Sequence, residues 1–154
     1  MKGKKNKRVV GFTAGAFDLC HAGHVLMFKE CREVCDYLIV GLHSDPTIDR
    51  PYKNKPVMSL EERKIILSGI KYIDEIIIYD TESDLVNLIK KVKPDVRVIG
   101  IDWKDKEFTG KDLIEKLGHR IYYNSRGHNF SSTELRRRIF KSEKGKNNRL
   151  SEKH

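Results

Sequence analysis

The 154-residue chain contains no run of 18 apolar residues, so no segment is built to cross a bilayer as a helix. Its basic start, MKGKKNKR, is not followed by a long uncharged apolar stretch, and a secretory leader is not expected. Cysteine is scarce: Cys20, Cys31 and Cys35 are odd in number and lack the spacing of a disulfide framework. They read as reduced thiols, which predicts a cytoplasmic protein. Cys31 and Cys35 fall on one face of a helix, as core residues would. Cys20, His21 and His24 are too crowded for the usual zinc-ligand spacings, and no protein-held metal is expected. Three motifs are also missing. Without Gly-x-Gly-x-x-Gly, a Walker lysine or Gly-x-Ser-x-Gly, dinucleotide-dependent hydride transfer, P-loop hydrolysis and α/β-hydrolase chemistry lose their usual warrant.

Positive charge is plentiful, but it is not where a nucleic-acid reader would need it. Residues 1–8 carry five basic and no acidic side chains, and residues 141–154 carry five basic and two acidic ones. Of the net +9, the 132 residues between them carry only +1. The basicity therefore belongs to two solvated tails, 1–8 and 141–154, around one domain of residues 9–140. A specific nucleic-acid surface would more often carry a basic stripe on the fold itself.

Short runs rich in Val and Ile occur at Val9–Thr13, Tyr37–His43, Glu75–Tyr79, Val96–Ile101 and Arg120–Tyr123. They are nearly continuous, as strands buried on both faces are. Helical patterns lie between them at Val25–Cys35, Leu60–Ile70, Ser83–Lys93 and Gly110–Leu117. Ser59 with Glu62 makes a capping box, and Gly118 a stop. Alternation of this kind predicts an α/β fold with a parallel, doubly wound sheet in one domain. Ligands in such folds lie beyond the carboxyl ends of the strands.

One segment outweighs the others. GAFDLCHAGH, Gly15–His24, joins a strand to a helix and puts His21 and His24 around Gly23 where that helix begins. A helix N-terminus presents free N–H groups and partial positive charge. Two imidazoles added there suit a phosphate, above all one whose charge rises during reaction. Asp18, in the same turn, either orients a histidine or the substrate, or caps the turn. Further along, Lys53 and Lys55 flank Asn54 in a loop bounded by Pro51 and Pro56. They could close over a phosphate or simply be solvated. Gly100-Ile101-Asp102-Trp103 ends the fourth run, with Asp102 able to accept hydrogen bonds and Trp103 offering an aromatic wall. In SRGHNFSSTEL, Ser125–Leu135, Ser131 and Glu134 have the spacing of a capping box before the run Leu135–Phe140.

These segments resemble the HxGH nucleotidylyltransferase superfamily, and among its branches the small cytidylyltransferases of the glycerol-3-phosphate cytidylyltransferase type. The likeness runs from Val9 to Phe140 and includes NKPVMSLEERKIIL (Asn54–Leu67) and VIGIDW (Val98–Trp103). The resemblance implies a Rossmann-like sheet of five parallel strands and a homodimer. It also implies that His21 and His24 donate to the transferring phosphate, with Lys53 and Lys55 offsetting its charge. SRGHNFSSTEL corresponds to the family's RTxGISTT segment, so Arg126 and the helix start at Ser131, Ser132 and Thr133 would hold the triphosphate. Gly127, His128 and Asn129 depart from that pattern. Gly15, Ala16, Phe17, Asp102 and Trp103 would complete the nucleotide site, although Ala16 stands where the branch commonly has threonine. Asp18 and Arg63 would serve the acceptor. For Arg63 an ordinary ion pair is the other reading.

The expected function is transfer of CMP from CTP to a small phosphorylated alcohol, glycerol 3-phosphate first, or a phosphonate. Attack would be direct and in line, with release of pyrophosphate and no covalent intermediate. Mg2+ would travel with the triphosphate. An adenylyltransferase making an ADP-sugar or FAD is the alternative within the superfamily; the pair Asp102-Trp103 resembles the glycerol-3-phosphate branch, whereas heptose-type adenylyltransferases tend to carry Asp-Tyr there. A non-catalytic nucleotide- or polyanion-binding module is the alternative of another class.

Overall fold

The five Val- and Ile-rich runs pair as a single parallel sheet in the order β3-β2-β1-β4-β5. The computed structural model describes residues 7–151, with the backbone alone for 148–151. Its elements follow the chain as β1 (Val10–Gly15), α1 (Ala22–Val34), β2 (Tyr37–His43), α2 (Leu60–Ser68) and β3 (Glu75–Tyr79). Next come α3 (Glu82–Val92), β4 (Val96–Gly100), a single 3-10 turn at Ile101–Trp103, α4 (Lys111–Lys116), β5 (Arg120–Asn124) and α5 (Ser132–Ser151). This is the Rossmann-like α/β arrangement expected, with five parallel strands in one sheet. Among the described residues no helix is long and apolar enough to cross a membrane.

Side chains alternate across the sheet and build two cores. Leu38, Val40 and Leu42 of β2 join Phe28 and Cys31 of α1 and Leu67 of α2 on one face. Ile39 joins Phe12, Leu85, Leu88, Ile89 and Ile114 under α3 and α4 on the other. α1, α2 and α3 start on side-chain caps, whereas α4 starts at Gly110 without one. Ser59 and Glu62 exchange both bonds of a capping box, at 3.2 and 2.7 Å, and Thr81 with Asp84 does the same for α3.

The strand that carries the histidine turn is the central one. β1 pairs with β2 over six residues, Val10 to Gly15, but with β4 only at Gly11↔Val96 and Phe12↔Arg97. Beyond those two pairs β1 and β4 diverge, and a crevice opens at their carboxyl ends. The sheet's winding reverses at that point, where ligands enter folds of this type.

Several boundaries differ from the sequence reading: α1 begins at Ala22, three residues early, and α2 ends at Ser68, two residues early. β1 runs to Gly15, two residues further than expected. α5 does not stop at Phe140 but continues to Ser151, so most of the expected C-terminal tail is helical. Lys, Glu, Arg and Leu make up just over half of the extension, and it contains no proline. Lys146 and Glu143 pair across one turn at 2.7 Å. Of the basic N-terminal segment, residues 1–6 lie outside the described residues. Lys7 pairs with Asp95 at 3.2 Å, and the Arg8 guanidinium lies 4.2 Å from the Tyr37 ring.

Gly11 shows how closely β1 packs. A Cβ there would stand 2.6 Å from the Cys35 Sγ and 2.9 Å from its Cβ. Gly11→Ala should therefore destabilise the fold by about 1–3 kcal/mol, the usual range for overpacking a core. The urea midpoint of the variant measures it, and an unchanged midpoint would show that the end of α1 yields freely.

Candidate active site

The turn between β1 and α1 is strained. Phe17 and Leu19, both non-glycine, adopt left-handed backbone with φ of 49° each. Such residues persist only where their surroundings hold them, and here two side chains do. Asp18 accepts from the backbone N–H of Val57 and Met58, both at 2.9 Å, and pairs with Arg136 of α5 at 2.8 Å. Beneath the turn, Arg63 is 2% exposed. Its Nη1 donates to the carbonyls of Ala16 (2.9 Å) and His43 (2.7 Å), and its Nη2 to that of Ser44 (2.5 Å). Its Nε is shared between the carbonyls of Met58 and Ser59.

These contacts correct the expected roles of Asp18 and Arg63. Neither is open to an acceptor substrate. Asp18 has both oxygens occupied, and Arg63 spends its donors on backbone carbonyls, which is also not the ion pair offered as its other reading. Both are positioning residues for the turn.

Held in this way, the turn delivers the histidines as caps of α1. His21 Nδ1 accepts from the Gly23 N–H at 3.0 Å, and His24 Nδ1 accepts from the His21 N–H at 3.2 Å. A ring nitrogen that accepts from a backbone N–H carries no proton. The neutral rings therefore hold their protons on Nε2, and both present Nε2–H as a donor. The rings stack at 4.0 Å between centroids, and Phe17 supports His24 edge-on at 5.6 Å. Gly23 is forced by this closeness: a Cβ there would stand 2.9 Å from both His21 Cε1 and His128 Cε1.

Burial lowers the pKa of His24 to about 4, aided by the neighbouring His21 and Arg126 and opposed by Asp18. His21 is lowered too, first by burial and then by His128 and Arg126. At neutral pH both are uncharged donors. Protonating Nδ1 of either ring would also break its cap, which favours the neutral form further.

The histidines line a cleft of about 260 Å³ with Arg126, Ser131, Ser132 and Thr133. Ser131 Oγ accepts from the Glu134 N–H at 3.1 Å and starts α5, while the Glu134 carboxylate turns to Arg137 instead of closing the expected box. Asp102 does not face a nucleotide freely, because its carboxylate pairs with Arg126 at 2.7 Å. Trp103 lies elsewhere. With Gly15 and Ala16 it lines a second cavity of about 390 Å³ on the other side of the β1 end, beside the start of α3 and the segment that precedes α4. Lys53 and Lys55 are exposed in the loop before α2 and do not line the histidine cleft.

The structure thus brings His21, His24, Arg126, Ser131, Ser132 and Thr133 together. It sets Gly15, Ala16 and Trp103 in a neighbouring chamber, puts Phe17 beneath His24, and leaves Lys53 and Lys55 outside. Sequence reasoning missed His128, Asn124 and Phe130 in the cleft and Arg136 behind the turn. His128 had a signal, since it stands three residues before Ser131 in a segment already singled out. Phe130, next to Ser131 in the same segment, shared it; Asn124 and Arg136 had none.

With this geometry in view, the comparisons with known proteins agree on a family. The family model described as cytidylyltransferase-like matches residues 12–138. The bifunctional protein HldE of Campylobacter concisus is 43% identical over 115 residues, 74% of this chain and 24% of that protein. The HldE of Syntrophotalea carbinolica is 37% identical over 119 residues, 77% of this chain and 24% of that protein. The chain therefore spans about a quarter of the length of the curated relatives it matches. Among solved structures, the lipopolysaccharide core biosynthesis protein from Thermoplasma volcanium superposes with a TM-score of 0.63 at 24% identity, covering 77% of this chain and 98% of that one. That likeness is one of fold. The chain belongs to the cytidylyltransferase-like family, within the HxGH nucleotidylyltransferase superfamily.

The histidine caps tie the site to stability. His24 titrates near 6.5 when unfolded and near 4 when folded. Between those values the unfolded chain binds more protons, so this contribution is complete above pH 6.5 and is lost as pH falls toward 4. In urea titrations between pH 7 and 4.5, wild type should lose stability more steeply than His24→Gln, by about 1.4 kcal/mol per pH unit for this group. Parallel slopes would show that His24 does not titrate in this way.

Proposed function

From membership of that family, we propose that the protein transfers a nucleoside monophosphate from a nucleoside triphosphate to a small phosphorylated acceptor, releasing pyrophosphate. The observation that carries this reading is the pair of neutral Nε2–H donors fixed beside a cationic Arg126 and the start of α5. The reaction joins an acceptor phosphate oxygen to the α-phosphorus and breaks the bond to the pyrophosphate. Its attacker is already an anion, so no strong base is needed. What it needs is alignment and donors aimed at rising negative charge. His21 and His24 supply those donors at the α-phosphate. Arg126 is suited to forked contacts with the remaining phosphates, and the free N–H groups opening α5 face the same cleft.

The acceptor belongs in the second cavity, on the far side of Gly15 and Ala16. The two substrates then meet over the end of β1, where the acceptor phosphate can approach opposite the departing pyrophosphate.

The cleft's own donors are imidazoles, hydroxyls and a guanidinium, which do not fit a protein-held Mg2+. Asp18 and Asp102, the nearby carboxylates, are already paired. A magnesium ion in this reading arrives on the triphosphate oxygens.

For the base, similarity to the HldE proteins favours adenylyl transfer to a sugar phosphate over cytidylyl transfer to glycerol 3-phosphate. The argument for cytosine rested on Asp102-Trp103. That pair is divided in the structure, one residue bound to Arg126 and the other in the second cavity. CTP with glycerol 3-phosphate stays as the second reading, supported by the description of the matching family model.

Pyrophosphate release should be measured with ATP, CTP, GTP and UTP against sugar phosphates and phosphorylated alcohols. ATP with a sugar phosphate is expected to lead. His21→Ala and His24→Ala should each lower kcat roughly 10²-fold or more while the fold is kept. Tight nucleotide binding without pyrophosphate release from any pair would overturn catalysis in favour of a binding module.

A further inference from the structure

Arg97 is a charged residue in the middle of β4, inside the sheet's core. It is 4% exposed, and its guanidinium lies over the Phe12 ring at 5.1 Å. Its Nε and Nη1 reach no hydrogen-bond partner among the described residues. Burial lowers its pKa only to about 10, so it remains a cation at neutral pH. The nearest candidate counter-ion, Glu82, is taken: it pairs with Arg50 at 2.7 Å and accepts from Thr109. A buried cation with unpaired donors is strongly unfavourable unless something else pairs with it.

That something has a place to sit. Arg97 lines the second cavity with His43, Arg50, Tyr79 and Trp103. Its Cα is level with Phe12, three residues below the end of β1 at Gly15, or about 10 Å down the strand. Arg97 is therefore on the floor of the chamber, while the histidines line the neighbouring cleft across the end of β1, beyond the chamber's mouth. A reacting phosphate must be at the mouth to reach the α-phosphorus, so the group that meets Arg97 is the other end of the same molecule.

We propose that the acceptor carries a second anionic group, a carboxylate or a further phosphate, remote from its reacting phosphate, and that Arg97 selects for it. This rests on the proposed nucleotidyl transfer with the acceptor in the second cavity. Glycerol 3-phosphate and sugar phosphates whose far end is uncharged fill the chamber without pairing the guanidinium. An acceptor with an anion at its far end pairs it, and the cost of burying the charge is recovered only with that substrate.

The test compares three acceptors of similar size: glycerol 3-phosphate, 3-phosphoglycerate and a bisphosphorylated polyol, each with ATP and with CTP. Wild type should favour the doubly anionic acceptors by roughly tenfold to hundredfold in kcat/KM, the scale of charged hydrogen bonds to a desolvated partner. The carboxylate and phosphate arms then tell which anion fits better. Arg97→Leu should collapse that ratio, and Arg97→Lys should restore part of it. Arg97→Leu should also keep or raise the Tm, because it removes an unpaired buried charge, whereas loss of a merely structural arginine would lower it. Binding of the same acceptors by calorimetry, without nucleotide, gives a readout independent of turnover. Equal handling of glycerol 3-phosphate and the doubly anionic acceptors by wild type, or a preference unchanged in Arg97→Leu, would overturn this inference while leaving nucleotidyl transfer intact. Absence of pyrophosphate release with every acceptor would instead count against the transfer reaction, and calorimetry would still decide the role of Arg97.

Discussion

Arg63 spreads one guanidinium across five backbone carbonyls drawn from three places: the β1–α1 turn, the end of β2 and the approach to α2. Carbonyls at the ends of strands have no natural partner inside a fold, and a planar fork of N–H groups satisfies several at once. Asp18 performs the converse task on the same turn, collecting N–H groups with its carboxylate. Together they hold Phe17 and Leu19 in left-handed backbone. The direction in which α1 departs, and so the aim of His21 and His24, depends on that arrangement. A residue far from any phosphate thus sets the geometry of the groups that would touch one.

The histidines combine two tasks usually given to different residues. Ser, Thr, Asp or Asn ordinarily caps a helix, as Ser59 and Thr81 do here. At α1 the imidazoles do it, and the choice of Nδ1 as acceptor determines which nitrogen is left to donate. The same bond that completes the helix therefore fixes the tautomer. Neutral donors are suited to this use. They avoid adding two buried positive charges beside Arg126, yet they can strengthen their bonds as negative charge accumulates on a reacting phosphate.

Much of this was legible in the sequence. Runs of Val and Ile located all five strands, and the alternation with amphipathic segments established parallel pairing. The tetrapeptide His21–His24 announced the cleft, because chemistry with few solutions leaves a short, specific pattern. What could not be read was of another kind. Asp18 and Arg63 look like substrate ligands in a motif, and only their partners show that they brace the turn. The separation of Asp102 from Trp103 is decided by one turn of 3-10 helix that no periodicity announces. Arg97 did carry a signal, as a lone charge within the run Val96–Ile101. Its meaning required the burial and the unpaired nitrogens. Lys53 and Lys55 fall in a loop whose course depends on contacts too far apart in sequence to foresee.

The brief pairing of β1 with β4 has a consequence for descent as well as for binding. Since the two strands part after two residues, the fold contains two chambers at a fork of the main chain. One is lined from α1 and α5, the other from β4 and the segments around α3 and α4. Mutations on one side can reshape its chamber without disturbing the donors on the other. A lineage built on such a fork can keep its phosphate chemistry unchanged while exchanging the molecule that receives the nucleotide.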